Sequence, residues 1–110
     1  MFDDEMEAYT REDFPEPEDI EQRFTATNSS CDDRATLMIG TTIGIEVDGC
    51  LVCRAAAAKT AEQVEDEGIE PLQRMDEEEY LDFLGWDLTP MRRDCALTPF
   101  RALQDEGTNL

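Results

Sequence analysis

Four cysteines, Cys31, Cys50, Cys53 and Cys95, carry the chemistry that this chain could do. Thiolates are soft ligands and nucleophiles, so four of them fit a tetrahedral zinc site or an iron-sulfur cluster. The chain has no histidine, which removes the commonest other ligand for such metals. Cys50 and Cys53 stand three apart where a helix is expected to begin, so both sulfurs project from its first turn and can share a metal. The free amides and positive dipole end of that turn favour the thiolate form. Asp32, Asp33 and Asp94 flank the outer two cysteines, and a carboxylate beside a thiolate is a weak, exchangeable ligand. The same residues also have a plain reading, as small buried cysteines and solvated surface acids.

The elements that must position these residues follow from pattern. Residues 1–22 hold ten acids and two prolines, which predicts a weak helix at 4–12 and then an extended acidic linker. The domain proper is expected over 23–110. ATLMIGTTIGIEV, residues 35–47, is β-branched and apolar and is broken by Gly40 and Gly44, as a two-stranded hairpin would be. Asp48 or Gly49 then caps a helix over 50–66, whose alanine run 55–58 gives a thin face for close packing. Gly68 and Pro71 end that helix. Asp76 and Glu79 have the spacing of a capping box for a short helix through Leu84. Thr89 and Pro90 open a last helix running to about 105, which Pro99 is expected to kink or split. The fold class is α+β, a small antiparallel sheet packed against helices behind a loosely ordered acidic N-terminus.

Composition narrows the function. The chain has 110 residues and a formal net charge of −19, from 28 acidic against 9 basic residues. That field repels the phosphates of nucleic acids and of anionic lipids, so neither nucleic acid nor membrane is an expected partner. A halophilic host would screen such self-repulsion; an ordinary acidic protein with an acidic tail is the alternative. No stretch nears the roughly 20 apolar residues of a membrane span, and Met1-Phe2-Asp3-Asp4-Glu5 lacks a basic leader. A cytoplasmic location is expected. In a reducing cytosol, metal binding or redox chemistry explains four cysteines better than disulfides do.

With these residues identified, the chain resembles the U-type iron-sulfur cluster assembly scaffolds, the family of IscU, SufU and the N-terminal domain of NifU. Asn28-Ser29-Ser30-Cys31-Asp32-Asp33 resembles the family's Asn-Pro-x-Cys-Gly-Asp turn. Asp48-Gly49-Cys50-Leu51-Val52-Cys53-Arg54-Ala55-Ala56-Ala57 resembles its Gly-Cys-Ala block. Pro90-Met91-Arg92-Arg93-Asp94-Cys95-Ala96, with Phe100 and Leu103, resembles its Pro-x-Arg-x-x-Cys-Ala block. The likeness spans roughly residues 25–104.

The resemblance implies Cys31, Cys50 and Cys95 gathered at one exposed end, receiving sulfur from a cysteine desulfurase and holding iron, with Asp33 as the ligand that keeps a [2Fe-2S] or [4Fe-4S] cluster labile. Apo iron-sulfur proteins would be the recipients, and a homodimer is compatible with this. The alternatives are a zinc-dependent sulfur acceptor and a small interaction module held by structural zinc. Departures from the family bear on each reading. Asp32 stands in place of glycine, the hairpin between Cys31 and Cys50 is short, and Asp94 stands where histidine or lysine is usual. Cys53 replaces serine or alanine, and it is either a fourth ligand that tightens the site or a serine-sized core residue.

Overall fold

The computed structural model describes residues 4–28, 32–104 and 108–109. Helix α1 (Asp4–Thr10) is followed by strands β1 (Gln22–Asn28), β2 (Asp33–Ile39) and β3 (Ile43–Asp48). Helices α2 (Leu51–Glu67), α3 (Glu70–Gln73), α4 (Glu77–Leu84) and α5 (Pro90–Gln104) come next, and a two-residue strand β4 (Thr108–Asn109) closes the chain. The sheet is antiparallel in the order β3-β2-β1-β4. This is the α+β architecture expected from sequence. No helix among the described residues is long and apolar enough to cross a membrane.

Register decides what the sheet offers to the helices. Phe24 pairs with Leu37, Ala26 with Ala35, and Asn28 with Asp33. Because side chains alternate along a strand, these six share one face. Phe24, Leu37 and Ala35 lie in the core with residues of α2 and α5. The same parity therefore turns the last pair, Asn28 and Asp33, inward as well; both are buried. On the opposite face Thr25 and Thr36 bond through their hydroxyls at 3.0 Å.

The alanine run of α2 is fully buried, and with so little side chain in the way the helix lies close to its neighbours. α5 buries Cys95, Ala96, Leu97, Phe100, Ala102 and Leu103. Pro99 does not split it. α5 continues to Gln104, although Pro99 has no N–H for the Cys95 carbonyl. The far end is clamped: Gln73 Nε2 donates to the Leu103 carbonyl at 3.1 Å, and Gln104 Nε2 to the Leu72 carbonyl at 3.2 Å. Three elements were not anticipated: β1, α3 and the two-residue β4. β1 reads as polar, with only Phe24 and Ala26 marking its inner face. α3 contains Pro71 at the second helical position, where a missing N–H does no harm. The capping box of α4 forms as expected, with reciprocal bonds of 2.8 and 3.1 Å between Asp76 and Glu79.

At the N-terminus the expected helix and the extended stretch after it both form, and apolar residues hold them to the body. Met6 is buried in the core, with Tyr9 and Phe14 packed against it. Ile45 N–H donates to the Phe14 carbonyl at 3.0 Å, so the stretch lies along the open side of β3. Gly44 permits this approach: a Cβ there would stand 2.6 Å from the Pro15 carbonyl oxygen.

Candidate metal centre

The site forms where β2, α2 and α5 meet. An Asp33 carboxylate oxygen, Cys50 Sγ and Cys95 Sγ all lie within 4.8 Å of one another. Asp33 opens β2, Cys50 is the residue before α2, and Cys95 lies in the second turn of α5. Asp33 and Cys95 are buried and Cys50 is half-buried, so the group is open to solvent on the Cys50 side.

Local backbone requirements explain how three distant segments converge. Cys50, rather than Asp48 or Gly49, is the N-cap of α2; its backbone is extended at φ −75°, ψ 168°. Its carbonyl accepts the first helical bond from Arg54 N–H at 3.1 Å. Its own N–H, which no helical carbonyl can reach, donates to Asp33 Oδ1 at 2.8 Å. The other carboxylate oxygen lies 3.8 Å from Cys50 Sγ. Gly49 is the residue that lets β2 and the β3–α2 corner approach this closely, since a Cβ there would collide with the Asp33 carboxylate. A buried carboxylate needs such partners to remain inside.

The expected site residues separate into three sets. Asp33, Cys50 and Cys95 are brought together. Cys31 lies outside the described residues; in sequence it stands between Asn28 and Asp33, the cross-strand pair that faces the site. Cys53 is not in the group. It is fully buried in the core, and desolvation, then the nearby Asp33 and Cys50, push its thiol up to about 12. The flanking acids also turn elsewhere. Asp94 pairs with Arg101 at 3.5 Å, and Asp32 is exposed with φ +55°. Cys50, Cys53 and Cys95 are free thiols.

One functional residue had no prior role assigned. Asn28 Nδ2 lies 3.9 Å from Cys95 Sγ, a distance suited to a weak N–H···S contact. Its signal in the sequence was parity with Phe24 and Ala26, visible only once β1 is placed.

Two thiolates and a carboxylate in one pocket suit a metal that accepts both sulfur and oxygen, such as zinc or iron. In a tetrahedral site with metal–sulfur bonds near 2.3 Å, sulfurs stand about 3.7 Å apart. With its atoms already within 4.8 Å of one another, the group needs to contract by no more than about an ångström to close on an ion.

No family model matches the sequence, and no curated protein does. Solved structures do match. The fold is that of a candidate iron-sulfur cluster assembly scaffold protein for the SUF system from the thermophile Fervidobacterium islandicum AW-1, a SufU protein. The two superpose with a TM-score of 0.64 at 21% identity, covering 94% of this chain and 93% of that one. A second crystal structure, of a hypothetical protein, matches with a TM-score of 0.55 at 15% identity over 90% of this chain and 93% of the other. The U-type resemblance seen in the cysteine blocks thus holds at the level of the fold.

Proposed function

We propose that this chain is an iron-sulfur cluster assembly scaffold, a carrier whose cargo is iron, sulfide or a nascent cluster. The observation that carries the reading is the convergence of Asp33, Cys50 and Cys95 within 4.8 Å on the fold of a SufU scaffold. Asp33, Cys50 and Cys95 hold the cargo, and Cys31, two residues before Asp33 in sequence, joins them. Cys50, the half-open member, is the entry point for sulfur from a cysteine desulfurase. The same face passes the cluster to an apo-protein. Cys53 belongs to the core and leaves Asp33 as the oxygen ligand, which keeps the cargo exchangeable.

A second reading has its own support. Three thiolates and one carboxylate also make a complete tetrahedral set for a single zinc, which would activate a cysteine to accept sulfur. Anaerobic reconstitution with ferrous iron and sulfide in high salt, followed by visible absorption, separates the two. A stable brown chromophore is expected. Colourless protein holding one tight zinc would sink the scaffold reading and leave the sulfur acceptor.

A further inference from the structure

We infer that Cys50 and Cys53 form a working dithiol: Cys53 reduces a persulfide carried on Cys50 and releases its outer sulfur as sulfide beside Asp33 and Cys95. The inference rests on the reading of Cys50 as the residue that receives sulfur. It adds a reaction that needs both members of the pair.

The geometry of α2 supports it. Cys50 is the N-cap and Cys53 is the third helical residue. An N-cap side chain folds back over the third position, the reach that a capping box uses. In this helix the N-cap side chain makes no capping hydrogen bond; Cys50 Sγ instead lies 3.8 Å from Asp33 Oδ2, and rotation about its Cα–Cβ bond is what would carry it from that group to Cys53. The two thiols differ in access. Cys50 is half-buried and can meet a donor from solvent, whereas Cys53 is fully buried. Only a group within the same chain can react with it. An accessible cysteine followed by a sheltered one, in C-x-x-C at a helix N-terminus, is the arrangement of dithiol redox sites. Burial also shields the resting Cys53 from solvent oxidants.

The step balances within the chain. Delivered sulfur stands as Cys50–S–SH. Cys53 Sγ attacks Cys50 Sγ, the Cys50–Cys53 sulfur–sulfur bond forms, and the bond from Cys50 to the outer sulfur breaks. The outer sulfur leaves as hydrosulfide and takes the Cys53 proton, giving hydrogen sulfide. The two cysteines lose two electrons between them and the outer sulfur gains the same two. Reopening the disulfide afterwards takes a dithiol reductant from solution. While the disulfide stands, Cys50 is not a metal ligand, so sulfide release and metal capture alternate.

The test uses the full, reduced chain under anaerobic conditions, treated with limiting inorganic polysulfide and followed by intact mass and peptide mapping. Wild type should gain one sulfur atom on Cys50 only transiently. It should then show a loss of two hydrogens mapped to a Cys50–Cys53 disulfide, with one sulfide released per chain. Cys53→Ser should keep the Cys50 persulfide at least about tenfold longer, since it lacks the intramolecular attack. Cys53→Ala, checked by circular dichroism for folding, should behave the same way. Equal persulfide lifetimes in wild type and both variants would overturn the inference. So would a disulfide joining Cys50 to Cys31 or Cys95, or a Cys50 that takes up no sulfur. Reconstitution with ferrous iron and sulfide, run in parallel, reads the scaffold function separately. A chromophore in Cys53→Ser together with a long-lived persulfide separates the two roles of Cys50.

Discussion

The start of α2 and its middle bury polar groups in opposite ways. Two turns beyond Cys53, Lys59 Nζ donates to the Leu84 carbonyl at 2.9 Å and sits 5.8, 5.3 and 5.5 Å from the ring centroids of Tyr9, Phe83 and Trp86. The neighbouring Thr60 hydroxyl bonds the Tyr80 hydroxyl at 2.9 Å, and the Tyr80 ring stacks on Phe100 at 4.7 Å. There donors meet acceptors, and the one lysine of the chain ties α1, α4 and the α4–α5 corner to α2. At the start of α2, by contrast, a carboxylate and two sulfurs face one another. The Cys50 amide donates to the carboxylate, and the Asn28 carboxamide lies against the Cys95 sulfur. In the middle of α2 the lysine and the two hydroxyls are satisfied by protein groups, the buried Trp86 Nε1 being the exception. The start of α2 is a cluster of electron-rich atoms that a cation would complete.

The largest effect expected from this difference is therefore metal-dependent. Zinc or cobalt(II) at about a thousandfold excess over its dissociation constant should stabilise the wild type by about 4 kcal/mol. Cys50→Ser, Cys95→Ser and Asp33→Ala should each lose most of that gain. The apo forms of Cys50→Ser and Cys95→Ser should unfold within about 1 kcal/mol of wild type, because a hydroxyl keeps the thiol's place and hydrogen-bonding capacity, whereas apo Asp33→Ala, which leaves the Cys50 N–H without its acceptor, should lose about 1–3 kcal/mol. Thermal melts with and without metal check this. If Asp33→Ala retains the full metal-induced shift, Asp33 is not a ligand.

In the middle of α2 the pattern reverses. Tyr80→Phe leaves the Thr60 hydroxyl buried without its partner and should lower stability by about 1–3 kcal/mol. Urea unfolding should detect that loss equally with and without metal. A metal-dependent effect of Tyr80→Phe would mean that the two regions are not independent.

Cys53 lies between the two regions and gives a smaller, pH-dependent effect. Its folded thiol is raised from 9.0 to about 12, so above pH 9 the unfolded chain loses a proton that the folded chain keeps. The stability from burying this thiol is complete below pH 9 and is lost as pH rises toward 12, by at most about 1.4 kcal/mol per pH unit. Between pH 9 and 10, below the range in which the raised Tyr80 hydroxyl would ionise, Cys53→Ala should flatten this slope in urea unfolding. An unchanged slope would place the titration elsewhere.

The same contrast shows how much could be read in advance. Residue type and spacing identified Cys50 and Cys95 as ligand candidates, and the hairpin, α2, the α4 capping box and α5 were legible from local pattern. Asp33 was one of three flanking acids read as weak ligands, and resemblance to a family singled it out; its burial follows from strand parity with Ala35 and Leu37. Asn28 and β1 escaped because the inner face of β1 shows only two apolar residues before it ends in an amide. The separation of Cys53 from Cys50 was not legible either. Both lie in the first turn, and only the packing of α2 against the sheet and α5 puts one sulfur in the site and the other in the core. Gly40 and Gly44 signalled a break in the hairpin. Their close neighbours, Asp19 and Pro15, belong to a segment whose acidity masked the apolar residues that dock it.

The smallest expected effect is at Asp32, next in sequence to Cys31. The backbone there has φ +55°, the left-handed region that glycine adopts freely and that aspartate tolerates better than most residues. The turn thus keeps a glycine-like conformation with a charged residue in it. Asp32→Gly removes the side-chain strain but adds freedom to the unfolded chain, so it should stabilise the apo protein by no more than about 1 kcal/mol. Asp32→Ala keeps a Cβ and loses the short polar side chain that eases this conformation, so it should be the least stable of the three. Urea midpoints in high salt would rank them glycine, aspartate, alanine. Metal uptake should be the same in all three, because Asp32 is exposed and outside the ligand group. If Asp32→Ala proved as stable as Asp32→Gly, the left-handed turn would not be what aspartate supports there. If either variant weakened metal binding, Asp32 would count among the residues that shape the metal site.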